Sequence, residues 1–135
     1  MASNSDIIKE ALSILGVLDE IQSLSAEQGV NGLSVMNDML LEWDANEIET
    51  GHYPQTDINA ESPIYSDALS AVKHNLAIYL ASYYGLEPKL PVVMIADRGY
   101  KRLLRDAIIA KTKEADMTGM PLGSAWGRRY NIQDG

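Results

Sequence analysis

The segment "YSDALSAVKHNLAIYLASYYG", Tyr65–Gly85, decides the fold of this 135-residue chain. Its apolar residues recur at three- and four-residue steps, which is the period of an amphipathic α-helix. Gly85 provides the left-handed residue that commonly ends a helix. Just upstream, Ser62 and Pro63 predict the start of the helix, with the serine as N-cap and the proline at the first helical position. The residues expected to share its inner face are Leu69, Val72, Leu76, Tyr79, Leu80 and Tyr83.

Two further helices are predicted towards the N-terminus. The first fits "SDIIKEALSILG", residues 5–16, with Ser5 as its cap. The second begins at the capping box "SAEQ", residues 25–28, and continues for about 20 residues. Gly29 and Gly32 lie inside it, and since each costs ~1 kcal/mol against alanine, they indicate close packing against a neighbour. The expected inner residues are Ile8, Leu12 and Leu15 in the first helix, and Val30, Leu33, Met36, Leu40 and Trp43 in the second.

A fourth helix is predicted over "VVMIADRGYKRLLRDAIIAK", residues 92–111. Between the second and third helices, the polar segment 47–63 predicts a loop that is long for a compact bundle, and such loops are often functional. No segment alternates with period two, so no sheet is expected. The sequence predicts an all-α fold, an antiparallel four-helix bundle over residues 1–115 followed by an extended C-terminal arm, 116–135. The fourth helix is expected to face inwards with Val92, Ile95, Leu103, Ala107 and either Ile108 or Ile109.

Composition excludes several classes of protein. Apolar residues make up 46% of the chain and charged residues 22%, as in an ordinary globular domain. No apolar run approaches ~20 residues, so no membrane span is expected, and "MASNSDIIKE" at the start does not resemble a secretory signal. The chain has no cysteine and two histidines, so disulfides, thiolate chemistry and a structural zinc site are not expected. No cofactor is predicted.

The net charge of −8 conceals an uneven distribution. Residues 1–72 carry 13 acidic side chains against Lys9 alone, a net charge of −12. Residues 73–135 carry 10 basic against 6 acidic side chains, a net charge of +4. This asymmetry has two interpretations, which the sequence leaves open. Either the chain has two surfaces for two different partners, or acidic and basic helices attract one another inside one domain.

Catalysis is not predicted. Acidic pairs such as Glu42 with Asp44 and Glu47 with Glu49 fall at a helix surface and in a polar loop. A glycosidase would need two carboxyls in a cleft with separated pKa values, so solvated charges are the better interpretation. His74 has no serine or acid placed to complete a triad, and a satisfied boundary histidine is expected there.

The segment "DRGYKRLLR", residues 97–105, has the basic and aromatic character of a nucleic-acid-binding helix. However, Lys101 and Arg105 stand one turn apart beside Asp97 and Asp106, so local ion pairs explain the segment as well. A chain this acidic would also be a poor general DNA binder, because phosphate contacts supply most of that affinity.

The C-terminal segment "MTGMPLGSAWGRRYNIQDG", residues 117–135, combines helix breakers with contact residues. Its four glycines and one proline disfavour a helix. Its tryptophan, tyrosine and paired arginines are the residue types that dominate protein interfaces. A merely disordered terminus is the plainer alternative. The candidate binding residues are Met120, Pro121, Gly123, Trp126, Arg128, Arg129 and Tyr130.

Four segments resemble the tail accessory factors of short-tailed bacteriophages, which are also called packaged-DNA stabilisation or head-completion proteins. They are "ALSILGV", "MNDMLLEWDANEI", "ALSAVKHNLAIYLASYYG" and "MPLGS", and their order and spacing match from about Asp6 to about Tyr130. The most specific are the "EW" near the end of the second helix and the turn Met120–Ser124. Members of this family commonly extend further beyond that turn.

This resemblance implies a structural protein rather than an enzyme. It implies a homo-oligomeric ring, usually dodecameric, below the portal vertex in the neck of the virion, assembled in the host cytoplasm. The ring would retain packaged DNA without sequence-specific binding and provide the platform for downstream tail, nozzle or tail-fibre proteins. The C-terminal arm would clasp portal subunits through the candidate binding residues. No membrane partner is implied.

Two expectations accompany the resemblance. The ring must let DNA slide, so acidic side chains from the second helix or the following loop are expected to face the channel and repel phosphate. The candidates are Glu42, Asp44, Glu47 and Glu49. Two alternative functions stay open: a cell-wall glycoside hydrolase carried in the tail that uses the acidic loop, and a stand-alone nucleic-acid-binding protein that reads DNA with the fourth helix.

Overall fold

The structure, a computed structural model, describes residues 2–19 and 21–118. It contains four α-helices, and a short 3-10 helix precedes the third. Among the described residues there is no β-strand, and one isolated bridge joins Ser3 to Glu61. The predicted all-α class and the four helices are therefore confirmed. The elements are α1 Asn4–Leu15, α2 Ala26–Ala45, the 3-10 helix Ser66–Ala68, α3 Leu69–Tyr83 and α4 Leu90–Thr118.

Helix α1 begins two residues before the predicted position. Its N-cap is Ser3, not Ser5, because Asp6 at the third helical position completes a capping box with Ser3. The Ser3 hydroxyl accepts a hydrogen bond from the Asp6 backbone N–H at 3.2 Å, and the Ser3 N–H donates to the Asp6 carboxylate at 3.1 Å. These bonds lower the pKa of Asp6. The helix ends at Gly16 with φ of 88°, as the glycine pattern predicts.

Helix α2 forms as predicted, with 20 residues and a capping box between Ser25 and Gln28. Its glycines mark close approaches. A Cβ on Gly32 would overlap the Ile8 Cγ2 atom, whereas one on Gly29 would meet Ile58 at 3.4 Å. The prediction that these glycines pack against a neighbour is confirmed, and the tight contact joins α2 to α1.

Helix α3 begins later than predicted. Ser62 and Pro63 do not start a helix, because the segment before Ser66 is held extended by bonds to distant backbone. The Ser62 N–H donates to the Ala2 carbonyl at 2.9 Å, and the Tyr65 N–H donates to the Thr50 carbonyl at 2.8 Å. These tertiary bonds satisfy the donors that a helix would otherwise use. The predicted stop is correct, since Gly85 adopts a φ of 69°.

The core is shared by the first three helices. Some expected inner residues are nevertheless exposed. Val30 and Tyr83 are more than half exposed, and Tyr79 is 39% exposed. The alanines of α3 are buried instead, because their small size lets the neighbouring helices approach closely. The fully or almost fully buried residues of the three helices include Ile7, Ile8, Ala11, Leu12, Met36, Met39, Leu40, Trp43, Ala71, Val72, Leu76, Ala77, Leu80 and Ala81.

Helix α4 is longer than predicted and crosses the boundary between two compact units, which divide after Leu104. Within the first unit it packs on α3: a Cβ on Gly99 would lie 2.7 Å from the Ala71 Cβ atom. Leu103 is buried as expected, but Ile95 is exposed and Ala96 is buried in its place. In the part of α4 that belongs to the second unit, Ile108 and Ile109 are also exposed.

Candidate interaction surfaces

The α2–α3 loop, residues 46–65, is the most extensively anchored irregular segment of the described chain. Its backbone carbonyls serve the first turn of α1. The Asn4 N–H donates to the Ala60 carbonyl at 3.0 Å, and the Ser5 N–H donates to the Ile58 carbonyl at 2.8 Å. The first N–H groups of a helix have no partner inside the helix, so this loop satisfies donors that would otherwise need water or a cap.

Four side chains, which we call the loop-anchor cluster, attach this loop to α1 and α2: Asn4, Asn37, His52 and Gln55. The Asn37 amide donates to the Gln55 carbonyl at 2.9 Å, and its Oδ1 accepts from the Gln55 N–H at 3.0 Å. Fully buried Asn4 donates both to the Gln55 side chain at 3.1 Å and to the Asp57 carbonyl at 2.9 Å. Sequence reasoning missed this cluster, because no local pattern pairs residues about 50 positions apart.

His52 is the titratable member of the cluster. Its Nε2 atom lies 2.9 Å from the Asn37 Oδ1 atom, and a carbonyl oxygen only accepts, so Nε2 carries the proton. The Nδ1 atom of His52 is buried and has no hydrogen-bond partner among the described residues. Burial lowers the pKa of His52, because the charged imidazolium would lose solvation there. Asn4 likewise has a buried Oδ1 without a partner in the described chain.

The four acidic candidates lie where α2 ends and the loop begins. Glu42 and Asp44 belong to the last turns of α2, Glu47 adopts a positive φ of 68°, and Glu49 follows in the loop. All four are exposed, as the interpretation of solvated charge predicts. Whether they face a channel stays a prediction.

Around these acids the helix termini are joined by aromatic residues. The Tyr79 hydroxyl of α3 donates to the Glu42 carboxylate at 2.8 Å. Partial burial, together with that bond, raises the pKa of Tyr79 to about 12. The rings of Trp43 and Tyr100 meet edge to face with centroids 5.3 Å apart, which ties α4 to the end of α2. The acidic end of α2 is thus in contact with both α3 and α4.

The basic residues of α4 are partly occupied within the chain. Lys101 forms an ion pair with Asp97 at 2.9 Å, one turn away on the same helix. The Arg102 guanidinium donates to the Asp67 carbonyl at 2.5 Å. For Lys101, the predicted local ion pair is confirmed. His74 is also satisfied locally, with its Nδ1 atom 2.8 Å from the Ser70 carbonyl oxygen.

No group of three or more His, Cys, Asp or Glu side chains within the described ranges is arranged to hold a metal ion. Over the same residues, no helix combines the length and apolar character needed to cross a membrane.

The candidate binding residues of the C-terminal arm lie outside the part of the chain that the structure describes. They are Met120, Pro121, Gly123, Trp126, Arg128, Arg129 and Tyr130. The division expected near residue 115 stays a prediction as well.

Comparison with protein-family models matches residues 3–134 to the family described as "P22 tail accessory factor". The match covers the four helices, the α2–α3 loop and the C-terminal segment. It extends over nearly the whole chain.

Proposed function

Since the chain belongs to the P22 tail accessory factor family, we propose that it is the head-to-tail adaptor of a tailed bacteriophage. Membership makes the protein a structural component of the phage virion. Beyond that, we propose that it forms a homo-oligomeric ring below the portal, in the neck of the virion. The ring retains packaged DNA, forms part of the exit channel and provides the platform to which downstream tail proteins attach.

The observation that carries this proposal is the extent of the family match, residues 3–134, which includes the glycine-rich C-terminal segment. In the proposed assembly this segment is the arm that binds portal. Ordering one residue costs on the order of 1–2 kcal/mol, so three glycines at positions 119, 123 and 127 make a fixed arm unfavourable by itself. Burial of Trp126 and Tyr130 on a partner surface, at ~1.5–3 kcal/mol for each large apolar side chain, offsets that cost.

The paired arginines favour a protein partner. Arg128 and Arg129 follow soon after Trp126 and carry planar guanidinium groups. Such groups bind carboxylates through two parallel hydrogen bonds, which fix the register of an extended segment on its partner. We propose acidic side chains of portal as their targets.

The rest of the molecule supports a structural role over the two alternatives. The acidic pairs are exposed at the end of α2 and in the loop, whereas glycoside hydrolysis needs two carboxyls held in a cleft. Lys101 of α4 is paired with Asp97, and the whole chain carries a net charge of −8, which disfavours general binding to phosphate. Accordingly, we propose no catalytic activity and no sequence-specific DNA binding.

Removal of the arm tests this function. The variant that lacks residues 119–135 keeps the four helices, so its helicity and melting should stay close to those of the full chain. It should fail to join portal rings of the same phage, as measured by light-scattering mass of the mixture. Trp126→Ala should weaken attachment by about 2 kcal/mol, roughly thirtyfold, because interface tryptophans carry much of the binding energy.

A shorter truncation is the matched control. Removing residues 131–135 leaves every proposed arm contact in place, so this variant should attach at normal stoichiometry. If the variant lacking residues 119–135 also attached normally, the helices and not the arm would carry the docking. If the full chain did not bind portal at all, the proposed function would be wrong.

A further inference from the structure

Helix α2 presents a narrow acidic stripe to solvent. We call this stripe the α2 outer face. Its residues recur at three- and four-residue steps along the sequence, so they lie on one side of the helix. Two of them are apolar and strongly exposed, Val30 at 69% and Leu41 at 60%. The acidic members are Glu27 and Asp38, and small side chains lie between them. The complete α2 outer face is Glu27, Val30, Ser34, Asp38, Leu41 and Ala45, all exposed.

Helix α4 presents a stripe of opposite charge within the first compact unit. This α4 outer face begins with two exposed apolar residues, Leu90 at 70% and Met94 at 45%. It continues one turn further with Arg98 and then Lys101, both exposed. Val93 adds exposed apolar surface beside it. A run of exposed apolar side chains that ends in basic residues is unusual for a surface that meets only water.

The two faces are complementary at the level of single side chains. Each has an exposed apolar residue one helical turn from a charge: Leu41 and Asp38 on α2, Met94 and Arg98 on α4. Among the described residues, neither Asp38 nor Arg98 has an ion pair or a side-chain hydrogen bond. Lys101, in contrast, is already paired with Asp97. The charges left free on the two faces are therefore opposite.

An antiparallel alignment of the two faces matches them along three turns. If Asp38 lies opposite Arg98, then Leu41 lies opposite Met94. The small Ala45 then faces Leu90, and the small Ser34 faces Lys101. In this alignment, each large side chain lies opposite a small or an apolar side chain, except where Asp38 meets Arg98. No like charges lie opposite one another.

We propose that the α4 outer face of one copy packs against the α2 outer face of a second copy of this chain. The partner is a second copy because both complementary faces belong to the same chain, at positions that stay exposed within one copy. Such a contact is heterologous, since a different face is used on each side, and it repeats from copy to copy. It deepens the proposed function, on which it rests, by assigning the contact between neighbouring subunits of the ring.

The size of the contact explains how it would operate. Three helical turns on each side make a small interface, and small interfaces are weak on their own. Binding to portal brings neighbouring copies together at high effective concentration, so that the weak contacts then form. The contact is therefore weak in the free chain, where it forms only at high concentration, and it closes in the assembly.

Charge reversal tests the contact. Arg98→Glu and Asp38→Lys should each lower the affinity between neighbouring copies by about tenfold or more, because each places like charges opposite one another. The double variant should recover. An equimolar mixture of the two single variants should recover in part. Where two different variants are neighbours, the charges that meet are opposite, and like charges meet only where two copies of the same variant are neighbours. Controls with the same charge change at exposed positions outside both faces, Asp19→Lys and Lys113→Glu, should assemble as the unmodified chain does.

Cross-linking tests the register. The chain has no cysteine, so Ser34→Cys in one copy and Lys101→Cys in another introduce the only thiols. A short bis-maleimide linker should join these two single variants when they are mixed on portal rings of the same phage. It should not join Ser34→Cys to Ser82→Cys, since Ser82 lies outside both faces.

The outcomes separate this inference from the proposed function. If the unmodified chain joins portal but the charge reversals assemble normally and no 34-to-101 cross-link forms, the inference is wrong and the adaptor function stands. If the reversals abolish portal attachment, with no recovery in the double variant, the faces bind portal rather than a second copy, which also overturns it. If the unmodified chain does not join portal, the adaptor function fails. Sedimentation of the concentrated free chain, with and without charge reversal, then decides on the contact alone.

Discussion

At the scale of single residues, Gly32 shows how strongly the packing of α1 on α2 depends on a missing side chain. A methyl group there would fall far inside van der Waals contact with the Cγ2 atom of Ile8. Ile8 is fully buried, and its β-branched side chain has few alternative rotamers, so it has little freedom to move away. Gly29, one turn earlier, has ordinary contacts instead.

We therefore expect Gly32→Ala to lower the free energy of unfolding by about 1–2 kcal/mol, because the overpacking penalty exceeds the gain in helix propensity. Gly29→Ala is the matched control. Its new Cβ would meet Ile58 at 3.4 Å, so the propensity gain of up to about 1 kcal/mol should leave stability equal or higher. Urea unfolding of the two variants checks this prediction. Equal unfolding midpoints for Gly32→Ala and Gly29→Ala would contradict it.

At the scale of elements, the α2–α3 loop behaves as a structural part of the core. Its carbonyls receive the first-turn donors of α1, and its side chains join the loop-anchor cluster. Ile48 and Ile64 at its two ends are buried among the helices. Because its anchors include the titratable side chain of His52, the attachment of this loop should be more sensitive to pH than the packing of the helices.

His52 makes that sensitivity measurable. Its pKa is lowered in the folded chain relative to the ordinary value of 6.5, so the unfolded chain binds the proton more tightly. The stabilising contribution is complete above the unfolded pKa and is lost as pH falls towards and through the folded pKa. We expect urea unfolding to show a loss of stability as the pH falls below about 6.5, and His52→Gln should reduce that loss.

The choice of glutamine keeps a side-chain N–H for Asn37 but removes the titration. His74→Gln is the control, because it makes the same replacement at a histidine that bonds within its own helix and lies outside the loop-anchor cluster. If the free energy of unfolding had the same pH dependence in the unmodified chain and in His52→Gln, protonation of His52 would not affect the stability of the fold.

At the scale of the whole molecule, the division of charge along the chain corresponds to separate surfaces. Many exposed acids lie on α2 and the loop after it, whereas unpaired positive charge such as Arg98 lies on α4, which also carries exposed Asp97 and Asp106. One ion pair, Lys73 with Glu10 at 2.6 Å, does join a basic residue of α3 to an acidic residue of α1. This ion pair supports attraction between acidic and basic helices within the domain, whereas the interpretation of two surfaces for two different partners stays a prediction.

The proposed channel gives the acidic surface a testable role. Neutralising the four candidates should leave helicity and portal attachment unchanged but slow the passage of DNA, because duplex phosphates would no longer be repelled. The measurement is the rate of DNA release from assembled particles. The variant is Glu42→Gln, Asp44→Asn, Glu47→Gln and Glu49→Gln together. The control neutralises exposed acids elsewhere: Asp19→Asn, Glu61→Gln, Asp67→Asn and Glu87→Gln. Equal release from the two would place the channel lining elsewhere.

Sequence alone determined the features that depend on neighbours within one or two helical turns. The capping box of Ser25, the left-handed stops at Gly16 and Gly85 and the length of α2 follow from local hydrogen bonding and backbone freedom. The family resemblance likewise depends on the order and spacing of short segments, and the match over residues 3–134 confirms it.

Only the tertiary structure decided what depends on partners far along the chain. Ser62 and Pro63 have the local form of a helix start, but bonds from this segment to Ala2 and Thr50 hold it extended. Val30 follows the apolar period of α2 and is nevertheless exposed. The period identifies which face of the helix is apolar, but it does not show how far along that face the neighbouring helices extend. The hydrogen bond between Asn4 and Gln55 joins residues 51 positions apart. Periodicity and capping rules extend over a few residues, so contacts of this kind are set by the folded chain as a whole.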